Sequence, residues 1–226
     1  MNASKLRLKS SLVKNSFIAK AHGRFVGGLV IQEILDRMAR LGIVVYPYRV
    51  YVKDLDTSDK AEYSDFADYL FRQLSSADAP AMADILTRNV PLEHLRQRFD
   101  RGDICYGVFH DDSLIGYTCV SREACYGAMR SVLFRLRSNE AYGYDTFVHR
   151  PYRGSGIHLF MMQNCFAVLR DMGVKSLYGT VLYFNRIARA AAETMEYSVI
   201  DQRIFIRFFG LFELNPRIGV RRASDR

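Results

Sequence analysis

The residue types best suited to gripping an anion stand together in one stretch, Val148-His149-Arg150-Pro151-Tyr152-Arg153-Gly154-Ser155-Gly156-Ile157-His158. Gly154 and Gly156 carry no Cβ, so the main chain can approach a ligand closely there. A helix that starts at this point presents backbone N–H groups without partners inside the helix, together with the positive end of its dipole. Such a start is a site for phosphate, and Arg153 adds a fixed cation. The chemistry this spells is the binding of a diphosphate by the amides of Gly154, Ser155, Gly156, Ile157 and His158. The stretch is not a P-loop, because no Gly-Lys-Ser/Thr follows, and its glycine spacing differs from the dinucleotide fingerprint. An ordinary strand-to-helix turn is the plain alternative.

Positioning this stretch takes a strand before it and a helix after it. Ala141–Val148 is rich in β-formers. Leu159, Met162, Phe166 and Leu169 recur at helical spacing, and Gly173 stands where that helix would stop. Upstream, Tyr69–Leu74 reads as a strand and Ser75-Ser76-Ala77-Asp78 as a helix start. Pro91 opens another helix, with Leu92, Leu95 and Phe99 on one face. Ile104–Phe109 and Leu114–Val120 flank His110-Asp111-Asp112-Ser113 as a β-hairpin, and Arg122–Glu140 is a basic connection. Downstream, Ser176–Leu182 is a strand, Asn185–Met195 a short helix rich in Ala, and Ser198–Ile206 with Phe208–Leu214 a closing pair of strands. The chain opens with a basic arm over 1–23. A helix carrying Ile31, Ile34, Leu35, Met38 and Leu41 follows, and then the strand Ile43–Val52. Asp54–Asp65 is the best linker. The expected organisation is an N-terminal extension over 1–60, a main domain over 61–215 and a basic tail over 216–226.

A chain of 226 residues, 49% hydrophobic, can bury a substantial core. Its net charge of +8 favours acidic partners or a phosphorylated ligand. No zinc-finger, RRM or basic-zipper pattern appears, so nucleic acid is not an expected partner. Cys105, Cys119, Cys125 and Cys165 show neither CxxC spacing nor nearby His, so four buried free thiols in a reducing compartment are expected, and no metal. No apolar run reaches the ~20 residues that span a bilayer, and no cleavable signal is present. The sequence reads as cytoplasmic.

Arg153-x-x-Gly156-x-His158 resembles the Arg/Gln-x-x-Gly-x-Gly/Ala signature of the GNAT superfamily of N-acetyltransferases, with His158 in the place of the usual Gly or Ala. The order of elements from about Asp68 to Leu214 is similar to that family's order. The resemblance implies an α+β fold with a mixed, mostly antiparallel central sheet flanked by helices. It further implies acetyl-CoA or another acyl-CoA as donor, with its pantetheine arm lying in a split between two strands. The backbone of Phe147 and Val148 would bind the arm, and the amides of the loop with Arg153 would hold its diphosphate. Asn185 stands where the family has an Asn touching the arm; a helix N-cap is the simpler reading of it.

Acyl transfer to an amine requires a neutral amine, a stabilised oxyanion and a stabilised leaving thiolate. Gly143-Tyr144-Asp145-Thr146-Phe147-Val148 is similar to the strand of aminoglycoside-acetylating members, which makes Asp145 the expected base. An arginine-paired strand carboxylate is its alternative, and His149 ranks lower. Many members carry a Tyr where this chain has Ala192, so either Tyr183 or Tyr197 replaces that phenol or water protonates the thiolate, which leaves readily without a dedicated acid. Arg130, Arg135 and Arg137 are candidates to hold an anionic group of the acceptor. The expected acceptor is a small-molecule primary amine, of amino sugar or amino acid type. The alternatives are transfer of longer acyl chains from an acidic acyl-carrier protein and a non-catalytic CoA-binding module. A homodimer is also compatible with the sequence.

Overall fold

The computed structural model describes residues 33–35, 37–56, 66–86, 90–128 and 131–219. The basic arm, the first part of the N-terminal helix, most of the linker, Arg130 and the end of the tail lie outside the described residues. Two compact units make up the chain, one from 1–47 with 203–217 and the other from 48–202 with 218–226.

The larger unit is built on a mixed sheet. Its strands are β1 (Ile43–Asp54, from Tyr48 onward), β2 (Leu70–Gln73), β3 (Ile104–His110), β4 (Ser113–Ser121), β7 (Glu140–Val148) and β8 (Ser176–Leu182), in the order β1-β8-β7-β4-β3-β2. Every neighbouring pair is antiparallel except β7 with β8. Strand β1, assigned by sequence to an N-terminal extension, pairs with β8 from Tyr48↔Leu182 to Asp54↔Ser176. The basic connection holds a small hairpin that its sequence does not announce, β5 (Ala124–Tyr126) with β6 (Val132–Arg135).

Helices cover both faces. Helix α1 (Ala79–Ile85) and α2 (Leu92–Asp100) place Met82, Ile85 and Leu95 against Leu74, Cys105, Tyr117 and Cys119. On the other face α3 (Ile157–Asp171) packs Met162, Cys165, Phe166 and Leu169 against Tyr106, Val120, Ala141 and Leu177. Alternate residues of one strand thus feed opposite cores, as the pleat requires. Helix α4 (Arg186–Thr194) follows β8. The Asp111-Asp112 turn of the β3–β4 hairpin has both residues at positive φ, 47° and 58°, as a type I′ hairpin turn requires. Cys105 and Cys119 face one another across these strands and form a disulfide, which corrects the expectation of four free thiols. Cys165 is a buried free thiol whose pKa burial pushes up to about 12.

In the smaller unit, strand β9 (Ser198–Phe208, from Arg203 onward) and β10 (Phe212–Leu214) form a hairpin pinned by Arg207–Glu213 at 2.6 Å. The Phe209 amide donates to the carbonyl of Gly42 at 2.6 Å.

Candidate active site

Strand β7 leads through a 3-10 turn, Arg150–Tyr152, into α3. Gly154 and Gly156 take φ +81° and +91°, a region open to glycine at no cost. A Cβ at Gly154 would meet nothing within 4 Å, so this main chain faces open space. Gly156 is the N-cap of α3 and no side chain caps the helix, so its first amides point outward with the dipole behind them. Ile157, only 1% exposed, anchors the turn in a core with Val148, Phe160 and Met161. Ser155 Oγ donates to the Tyr152 carbonyl at 2.6 Å and stiffens the loop. Arg153 does not point outward alone. Its Nε donates to the Val148 carbonyl at 2.9 Å, and its guanidinium lies over the Phe147 ring at 5.0 Å.

Strands β7 and β8 pair only from Glu140↔Ser176 to Gly143↔Gly179, then part. Between them opens a cavity of about 400 Å³. Gly143, Asp145 and Thr146 line it from β7, Gly179 to Leu182 from β8, His158 and Met162 from α3, and Asn185, Ala188, Ala191 and Ala192 from the start and face of α4. The alanines keep the α4 wall low. Because the His149 amide donates to Ile115 on β4 at 2.7 Å, alternation turns the backbone of Val148 away from β4 and toward the split. Phe147 lies in register with Tyr117 of β4. His158 stands one helical turn before Met162 and faces the cavity, and burial depresses its pKa, favouring the neutral ring. Asn185 caps α4, accepting from the Ala188 amide at 3.1 Å, while also lining the cavity.

Asp145 sits at a bulge. The β4–β7 register passes from Tyr117↔Phe147 to Cys119↔Tyr144, so Asp145 and Thr146 oppose the single residue Thr118. At φ +48° the bulge turns Asp145 toward α2. Its Oδ2 meets Arg98 Nη1 at 2.6 Å and accepts from the Tyr117 hydroxyl at 3.0 Å. Burial, then the Asp145 charge, raises the Tyr117 pKa and keeps the phenol a donor. For Arg98, burial opposes the charge, but Asp145, Tyr117 and Tyr144 outweigh it, and its pKa is raised. Arg98 also lines a second cavity with Val90, His94, Gln97, Arg101 and Tyr126. Asp145 thus lines the first cavity, while its ion-pair partner Arg98 lines the second.

Of the remaining sequence candidates, Tyr197 lines the first cavity, and burial raises its pKa; Tyr183, Arg135 and Arg137 lie elsewhere. Tyr183 is outside the cavity lining, with the guanidiniums of Arg49 and Arg189 at 5.1 and 5.0 Å from its ring centre. Arg135 pairs with Glu123, and neither it nor Arg137 lines the second cavity; Arg98 and Arg101 are the cations there. Sequence reasoning passed over Arg98, although it sits three residues after Leu95 on the apolar face of α2. It also passed over Tyr51, which lines the first cavity from β1.

A mixed sheet whose middle strands part beside a helix start with no side-chain cap defines an α+β protein with a cleft between β7 and β8. Residues 65–197, more than half of the chain, match the model of the acetyltransferase (GNAT) family, and the chain belongs to that family. No curated protein matches it significantly. Among solved structures it resembles a tandem GNAT protein from the clavulanic acid biosynthesis pathway, at TM-score 0.54 and 18% identity over 76% of this chain and 54% of that one. It resembles a GNAT-family protein from Novosphingobium aromaticivorans at TM-score 0.51 and 18% identity, over 72% and 65%. A third is the glucosamine N-acetyltransferase region of a fungal multi-domain beta-N-acetylglucosaminidase, at TM-score 0.55 and 13% identity, over 78% and 23%. These likenesses carry the fold. The chain spans little more than half the length of two of the solved structures it resembles. Among the described residues, no helix is long and apolar enough to cross a membrane, and no cluster suited to a metal appears.

Proposed function

We propose that this chain transfers an acyl group, acetyl first of all, from a CoA thioester to the primary amine of a small polar molecule. The observation that carries this reading is the parting of β7 from β8 over a cavity that reaches Asp145. The residues present fit a CoA donor. The amides from Gly154 to His158 would hold its diphosphate, the Val148 N–H would bond its arm, the Val148 carbonyl being held by Arg153, and Asn185 would touch the arm from α4. When bound, the donor supplies an activated carbonyl and a thiol leaving group. Asp145 would accept the proton shed by the attacking nitrogen, with Arg98 and Tyr117 fixing the carboxylate in place. The second cavity, with two arginines, His94 and Gln97 on its wall, would take the polar body of the acceptor, an amino sugar or amino acid. An acyl-CoA donor supports a cytoplasmic reaction, while the Cys105–Cys119 disulfide speaks for a less reducing compartment.

The experiment is a melting series of the full chain with acetyl-CoA, longer acyl-CoAs, CoA and acyl-carrier protein. A ligand bound only by the folded form stabilises by RT ln(1 + [L]/Kd). Acetyl-CoA is expected to raise the melting temperature, and thiol release is then followed across a panel of amines. Stabilisation by acyl-carrier protein alone would replace the donor. Binding without thiol release from any amine would replace the enzyme with a sensor, and no stabilisation by any CoA species would overturn the reading.

A further inference from the structure

Tyr51 is 2% exposed, and its hydroxyl is buried with no hydrogen-bond partner among the described residues. A buried hydroxyl without a partner weakens a fold, so native structures pair almost all of them. Tyr51 is also one of the residues that line the cavity between β7 and β8. On β1 it is in register with Gly179 of β8, and Gly179 is in register with Gly143 of β7. Residues in register share a face of the sheet. The row Tyr51–Gly179–Gly143 is therefore the last that joins β7 to β8, and its two glycines leave Tyr51 as its one side chain. On α4, Ala192 keeps the facing wall small.

We propose that Tyr51, from a strand outside the family-matched residues 65–197, is the phenol that protonates the departing thiolate. This rests on the acyltransferase reading. An arm held at its outer end by the loop amides and along its length by Val148 ends where the split closes, at the Tyr51 row. Its sulfur is then the partner the hydroxyl lacks in the protein. The amine lone pair forms the C–N bond while the C–S pair leaves on sulfur. Sulfur takes the Tyr51 proton to give the free thiol. The proton shed by nitrogen goes to Asp145 and returns through water to the Tyr51 phenolate, so nothing is oxidised or consumed besides donor and amine.

The test compares the full chain with Tyr51→Phe, using calorimetry with CoA and with desulfo-CoA, which lacks the sulfur. The wild type is expected to bind CoA about fivefold more tightly than desulfo-CoA, the worth of one hydrogen bond. In Tyr51→Phe the two affinities should agree within about twofold. The variant should melt at or above the wild-type temperature without ligand, because it loses an unpaired hydroxyl. Its kcat with acetyl-CoA and an accepted amine should fall at least about tenfold, with the donor KM within about threefold. Equal wild-type affinities, or a preference that survives in Tyr51→Phe or vanishes in Tyr197→Phe, would overturn the role of Tyr51 alone. So would a lower ligand-free melting temperature or an unchanged kcat. A wild type that binds neither ligand overturns the acyltransferase reading, and the role of Tyr51 with it.

Discussion

Asp145 takes φ +48°, a conformation that costs a residue with a Cβ about 1–2 kcal/mol. The bulge and the Arg98–Tyr117 pair hold it there. Strain of this kind marks positions where geometry serves a site. Asp145→Asn keeps the shape and removes the charge, leaving Arg98 buried without its counter-ion. Removing one partner of a buried pair costs about 3–5 kcal/mol, so chemical denaturation should show a loss on the order of 3 kcal/mol. Acyl transfer should fall by about 10²-fold if the carboxylate is the base; a full rate in the folded variant removes it from that role. Gly154→Ala tests the loop differently. The added methyl meets no protein atom but must adopt φ +81°, so about 1 kcal/mol of stability should go. The methyl also stands where a diphosphate would approach, and CoA affinity by titration should drop about tenfold or more. Unchanged affinity would move the diphosphate elsewhere.

The helices, the hairpin and the central strand were legible because each carries a local rule. Gly173, at φ +77°, ends α3, and Asn185 starts α4. What escaped depends on register. A plain two-residue turn at Asp111-Asp112 would pair Cys105 with Thr118. The bulge between Val108 and Phe109 slips the hairpin by one residue and sets Cys105 against Cys119, and no local signal fixes that slip. Arg98 escaped because its partner Asp145 lies far along the chain and reaches it only through another bulge. The loop at Ser75–Asp78 was legible, and it sets a pH limit. Arg72 Nη2 meets Asp78 Oδ1 at 2.7 Å, and Asp78 also accepts from the Ser75 amide at 2.8 Å. Bonding to Arg72, before all else, lowers the Asp78 pKa to about 2. A depressed carboxylate contributes stability above its unfolded value, near 4, that is lost as pH falls toward 2. With Arg72 part exposed, this is on the order of 1 kcal/mol after solvent screening. Between pH 5 and pH 3, Asp78→Asn should lose about 1 kcal/mol less in urea denaturation than the wild type; identical slopes would show the pair to be idle.

At the scale of the molecule, the family-matched span and the folded unit differ, because β1 precedes the span yet completes the sheet. Strand β8 pairs with β7 over only Glu140–Gly143, whereas Tyr48–Asp54 pairs with its whole length. Without β1, Thr180–Leu182 would have no neighbour on either side, an open edge that invites association. Tyr48, Val50, Tyr51 and Leu55 are at most 2% exposed, and burying each such side chain is worth roughly 1.5–3 kcal/mol. Their sum rivals the whole stability of an ordinary domain, about 5–15 kcal/mol. A fragment of residues 65–197 should therefore show no cooperative melting by near-ultraviolet circular dichroism and no stabilisation by CoA, while the full chain shows both. A fragment that melts cooperatively and binds CoA would make β1 an accessory, and the catalytic phenol would have to come from within the span, where Tyr197 lines the cavity. If the fragment fails as expected, the same strand closes the sheet and brings Tyr51 to the point where its middle strands part.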